Sequence, residues 1–283
     1  MNNIIQKLIA WAEKETTIRA LILEGSRGNK DIVGELSDYD INVFVDDIHK
    51  FTLDYKWLNT FNEVLVYQKE HFYYQEISIP TCLVYFKNIP RIDFSFWPSH
   101  ILKTMNEENV HEPYKNGYQI LIDKDGLTRS IPEPTGEAFK IRKPRQDDYL
   151  DTVYNFWFET LVVIKHLKSG HLWFVKTIVD DPIKRYLLQM ILWDESSGAD
   201  WNRNDIHLSG KNLEQKVSKK TLDKIPFCFS PYHKEKTWLS LLGMIDLFKM
   251  LTLRIASGLN YPYPEEKIKE IEENILRTYN GNG

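Results

Sequence analysis

The sequence predicts an α+β protein in two parts, an N-terminal mixed sheet with flanking helices followed by a C-terminal helical bundle. Three observations predict it. A strand-like run at 20–24 ends in Gly25-Ser26, and Asp38-Tyr39-Asp40 then opens a second apolar run at 40–45. Apolar residues fall in short runs up to residue 122 but recur at three- and four-residue steps from residue 149 onward, a change from strand to helix period. Between the two regimes Pro132, Pro134, Gly136 and Pro144 punctuate a polar stretch that reads as a connection. The expected parts are residues 1–135 and 136–283.

In chain order, Ile4, Ile5, Leu8, Ile9, Trp11 and Ala12 recur at helical spacing behind Asn3 as a cap, predicting a first helix. It leads into the 20–24 strand. After the second strand, a short helix is expected at 55–61 and a strand at 63–67. The runs 81–86 and 91–96, separated by Lys87-Asn88-Ile89-Pro90, predict a hairpin, and 118–122 a last strand before Asp123-Lys124-Asp125-Gly126. Beyond the connection, Val153, Phe156, Trp157, Thr160, Leu161, Ile164 and Leu167 mark a helix over 149–168 that Ser169-Gly170 ends. A second helix spans 172–193, interrupted at Pro182. A strongly apolar third spans 238–255, and a short last one 268–276.

With 36 basic and 40 acidic residues the net charge is −4, so no global field favours nucleic acid or an anionic membrane. A cationic small molecule suits that balance better. Cys82 and Cys228 sit in apolar company without a nearby second thiol and read as buried free thiols of a reducing compartment. No basic start with an apolar run marks a secretory signal, and no stretch is long enough to span a bilayer. A cytoplasmic protein is expected.

Alone, a Gly-Ser pair is usually a turn and an Asp-x-Asp before a strand usually a solvated cap. Their order in one chain points to metal-dependent nucleotidyl transfer. Backbone N–H groups of the small-residue turn are free to cradle phosphate oxygens. Residues two apart on a strand share a face, so Asp38 and Asp40 point one way and suit a hard divalent cation, Mg²⁺ being expected. Asp93, in the alternating run Arg91-Ile92-Asp93-Phe94-Ser95-Phe96, would reach the same face from a neighbouring strand.

Leu23-Glu24-Gly25-Ser26-Arg27, Ser37-Asp38-Tyr39-Asp40-Ile41, Trp57-Leu58, Tyr67-Gln68 and Arg91-Ile92-Asp93 resemble the aminoglycoside 6-adenylyltransferase (streptomycin adenylyltransferase) family. In the second half Phe156-Trp157, Val163-Ile164-Lys165, Ser209-Gly210-Lys211-Asn212 and Tyr261-Pro262-Tyr263-Pro264 are similar in order and rough spacing. The resemblance implies a nucleotidyltransferase sheet of the polymerase-β type joined to a helical substrate domain, with AMP passing from ATP to a hydroxyl of streptomycin or a related aminoglycoside. Two stretches depart from the pattern: 195–205, rich in Ser, Gly, Asp and Asn, and 71–80. Both are candidates to line the acceptor pocket.

On that reading Asp38 and Asp40 hold Mg²⁺, two ions being expected, while Asp93 binds the second ion or accepts the proton of the attacking hydroxyl. Gly25 and Ser26 contact the β- and γ-phosphates, and Arg27 pairs with phosphate oxygens through its planar fork. Lys165 and Lys211 are candidates to reach the triphosphate from the helical half. A polycationic acceptor needs carboxylates and flat rings, which makes Trp157, Glu159, Trp173 and Asp180 the candidate acceptor contacts. Two other readings stay open: transfer to another acceptor, such as a lincosamide or a protein hydroxyl, and a nucleotidyltransferase-fold regulatory partner without turnover. Retention of all three carboxylates favours an enzyme.

Overall fold

The structure, a computed structural model, describes residues 2–28, 37–202 and 209–281. The chain divides into two compact units, Met1–Ala138 and Phe139–Gly283.

The first unit contains helix α1 (Asn2–Lys14), strand β1 (Ile18–Glu24), the single turn α2 (Gly25–Gly28), β2 (Tyr39–Val45), α3 (His49–Thr52), β3 (Val64–Tyr74), β4 (Ile77–Phe86), β5 (Ile92–Pro98) and β6 (Gln119–Asp123). The six strands form one sheet in the order β3-β4-β5-β2-β1-β6. The β2–β5 pair is parallel and the other neighbours antiparallel, so the sheet is mixed. The side chain of Asn3, assigned above as a cap, lies outside the described residues, as do positions 203–205 of the polar stretch.

Side chains alternate across a strand, and here each face receives its own core. Leu21, Leu23, Ile41, Val43, Phe94 and Phe96 pack against Ile4, Leu8 and Trp11 of α1. Trp11 stacks on Trp57 with ring centroids 5.3 Å apart. On the opposite parity Ala20, Ile22, Phe44, Ile79 and Trp97 are covered by Ile101, Leu102 and Tyr114. That second core stops short of one end of the sheet. Two residues on from Ile22 stands Glu24, and two and four back from Phe44 stand Asn42 and Asp40; Ser95 and Asp93 precede Trp97 in the same steps. Asn42 marks the border: it is buried, accepts from Trp97 Nε1 at 2.8 Å and donates to Tyr114 Oη at 3.1 Å.

Strands β3 and β4 run well past the apolar runs at 63–67 and 81–86. They close at Gln75, whose φ of 54° turns the hairpin. Pro80, which argues against a strand, is accommodated because β5 pairs with β4 only over 81–84.

The second unit is helical, with α4 (Gln146–Lys168), α5 (Leu172–Ile178), α6 (Lys184–Ser197), the single turns α7 (Leu213–Lys216) and α8 (Lys219–Leu222), α9 (Lys234–Leu259) and α10 (Glu265–Tyr279). Helix α4 starts before the apolar periodicity does, fixed by Asp148, whose carboxylate accepts from the backbone N–H and the guanidinium of Arg145. Gly170, at φ 78°, terminates it. The interruption at Pro182 is a π-helical turn, Val179–Ile183, that absorbs the missing N–H without ending the rod. Phe156 lies flat on Phe248 at 3.7 Å in the core. Cys82 and Cys228 are both buried and free. Among the described residues no helix is long and apolar enough to cross a membrane.

Candidate active site

The register of the sheet builds the site. Glu24 of β1 pairs with Asp40 of β2, and Asp40 pairs with Asp93 of β5. Residues directly opposite in a ladder share a face, so three carboxylates from three adjacent strands stand in one row. They line a cleft together with Glu70, Phe72 and Ser95. Burial, then the charges of Glu24, Asp93 and Asp38, push the Asp40 carboxyl up to about 7. Burial raises Asp93 to about 6 against the pull of Arg91. Burial is the first cause of both shifts, and neighbouring carboxylates add to it.

Arg91 supplies an opposing charge. Its Nη2 lies 2.7 Å from Asp38 Oδ2 and donates to Asp93 Oδ2 at 3.0 Å, so one guanidinium bridges two of the three carboxylates expected to face a metal. Asp38 is thereby turned toward Arg91 while Asp40 and Asp93 face each other across the ladder. Among the described residues no three His, Cys, Asp or Glu side chains enclose a ready-made ion site. Asp93 Oδ1 meets Arg91 Nε at 2.9 Å and Glu24 Oε2 meets His111 Nε2 at 3.1 Å, so the outer two carboxylates of the row each have a nitrogen neighbour. Hard oxygen donors from neighbouring strands, directed to one face, are a donor set that Mg²⁺ fits, with Asp40 and Asp93 at its centre.

Gly25 adjoins this row. Its φ is +67°, and a Cβ there would lie 2.1 Å from Asp40 Oδ2. The turn is glycine because the carboxylate occupies the space a side chain would need. Ser26 follows, half-buried, on α2. Arg27 departs from expectation. It is 6% exposed, its Nε donates to the carbonyls of Ser37 and Asp38 at 2.8 and 3.1 Å, and its guanidinium lies 4.1 Å from the centre of the Tyr39 ring. It fastens the chain entering β2, a framework role in place of the phosphate contact.

Glu24 and its partner were not anticipated. His111 Nε2 lies 3.1 Å from Glu24 Oε2 and 3.4 Å from Oε1, and the imidazole is held among the rings of Trp97, Tyr114 and Phe72. The signal for Glu24 was present in the sequence: it ends the strand directly before Gly25, on the parity that faces the cleft. His111 had none.

In the helical unit Lys165 and Lys211 are exposed and Glu159 half-buried. Trp173 is 76% exposed, edge-on to Tyr232. Two assignments are corrected there. Trp157 is 1% exposed, edge-on to Phe156 in the core, and offers no face to a ligand. Asp180 is claimed by Lys184 at 2.6 Å and Lys176 at 3.1 Å. Burial works against its charge, but hydrogen bonds from those lysines outweigh it and hold the carboxyl below its ordinary value.

The sequence family described as Streptomycin adenylyltransferase matches residues 1–277. The chain belongs to that family. Aminoglycoside 6-adenylyltransferase of Campylobacter jejuni is 29% identical over 272 residues, covering 92% of this chain and 90% of that protein. The Staphylococcus aureus protein of the same name is 26% identical over 287 residues, with 98% and 97% covered. A crystal structure of an aminoglycoside 6-adenyltransferase from Bacillus subtilis aligns over 96% of this chain and 97% of its own, at 21% identity and a TM-score of 0.47. Membership makes the chain a nucleotidyltransferase of α+β fold, and the mixed sheet carries the carboxylate row of this streptomycin adenylyltransferase family member on its polar end.

Proposed function

We propose that the protein transfers AMP from ATP to a hydroxyl of streptomycin or a related aminoglycoside and releases pyrophosphate. The observation that carries this reading is the row Glu24–Asp40–Asp93 beside the Gly25 turn, in a family whose relatives are named for aminoglycoside adenylylation. The acceptor oxygen forms a bond to the α-phosphorus as the bond to the β-phosphate oxygen breaks, and the electron pair leaves with pyrophosphate. Asp93 accepts the hydroxyl proton or contributes to ion binding. Its carboxyl, raised to about 6, is basic enough to take a proton near neutrality. Asp38, Asp40 and Asp93 would hold Mg²⁺, which neutralises charge on the phosphates. Arg91 keeps Asp38 and Asp93 ordered, and the backbone at Gly25-Ser26 would meet the triphosphate. Lys165, Lys211, Glu159 and Trp173 remain the proposed contacts from the helical unit.

The test is pyrophosphate release by purified protein with ATP and Mg²⁺, expected only when streptomycin or a related aminoglycoside is added. Asp40→Asn should abolish it while unfolding stays cooperative. Release with a lincosamide and not with aminoglycosides would overturn the acceptor, and normal turnover by Asp40→Asn would overturn the site.

A further inference from the structure

We propose that Glu70 anchors a positive group of the acceptor, making the β3–β4 hairpin a specificity element of the site. This rests on the reading of the acceptor as a polycationic, hydroxyl-rich molecule. Glu70 pairs in register with Thr81 of β4, and Thr81 with Ser95 of β5. A second polar row thus crosses the sheet beside the carboxylate row and lines the same cleft. Thr81 Oγ1 and Ser95 Oγ are 3.2 Å apart, hydroxyls suited to a sugar.

The carboxylates of the cleft are not equivalent. Glu24 faces His111, Asp93 faces Arg91, and Asp40 stands half-buried between them in the ladder. Glu70 is exposed and has no ion pair among the described residues. Gln68, two residues before it on the same face, donates Nε2 to Glu70 Oε1 at 2.6 Å and so orients the carboxylate without neutralising it. Phe72, two residues after it, lines the same cleft. Strands spaced about 4.8 Å apart set Glu70 roughly 10 Å from the β5 strand that carries Asp93. The carboxylate assigned to this task in the helical unit, Asp180, is already spent on two lysines.

The experiment compares full-length wild type, Glu70→Gln and Glu70→Asp by calorimetric titration with streptomycin and by steady-state AMP transfer. A charge-assisted contact predicts streptomycin binding about tenfold or more weaker in Glu70→Gln, with partial recovery in Glu70→Asp. The loss should fall on the acceptor KM and not on the ATP KM, and the salt dependence of acceptor binding should flatten. Glu70-dependent binding without any AMP transfer by wild type would refute the transfer reading and keep this one. Equal titrations for wild type and Glu70→Gln would overturn it.

Discussion

Gly25→Ala separates geometry from stability at the proposed reaction centre. The new Cβ would lie 2.1 Å from Asp40 Oδ2, whereas ordinary contact begins near 3.4 Å, so the carboxylate must retreat by more than 1 Å. The residue would also be held at φ +67°, which costs an L side chain about 1–2 kcal/mol. Gly170 is the natural control, because it sits at φ +78° with nothing within 4 Å of an added Cβ. Both variants should lose a few degrees of melting temperature in calorimetry. A 1 Å misplacement at a reacting centre is worth about 100-fold in rate, so only Gly25→Ala should lose kcat for AMP transfer on that scale. Gly25→Ala with kcat within threefold of wild type, or Gly170→Ala with the same rate loss, would refute the reasoning.

Trp157→Phe should lower unfolding stability by about 1–3 kcal/mol in denaturant titration while leaving the acceptor KM within twofold, as befits a core ring and not a ligand wall. Asp194 predicts a pH dependence: burial raises its carboxyl to about 6, although Arg254 Nη2 lies 2.6 Å away and pulls it down. The folded state holds a proton there that the unfolded state has released. Its contribution is therefore complete below about pH 4 and is lost as pH rises through about 6, amounting to roughly 3 kcal/mol. The stability difference between wild type and Asp194→Asn should shift by about that amount between pH 4 and 7, and a flat difference would count against the shift.

Local rules were readable in the sequence, and pairing was not. Strand β1, the Gly25-Ser26 turn and the alternating run around Asp93 depend on neighbours two residues away, and the family pattern sits on the same residues. That Glu24 stands beside Asp40 depends on how β1 meets β2, and that His111 reaches Glu24 depends on a contact across 87 residues. Strand β3 reads short in the sequence because the stretch from Leu65 to His71, exposed throughout, carries no apolar alternation to follow. Trp157 and Trp173 looked alike as helical aromatics. Which side of α4 and α5 meets the core is set by α9 and its neighbours, and one ring is buried and the other bare. Arg27 read as a phosphate ligand because it follows a phosphate-type turn, while its burial against Tyr39 requires the fold.

On the proposed function, the row of carboxylates makes catalytic competence a report on chain alignment. Side chains alternate with period two, so sliding β5 by one residue against β2 would send Asp93 into the aromatic layer over α1 and bring Ile92 or Phe94 to the cleft. The misaligned chain would bury a charge among rings and lose its reaction centre in the same step. Folding errors in this sheet are therefore silent in the product: whatever fraction of molecules turns over has, by that fact, paired its strands correctly.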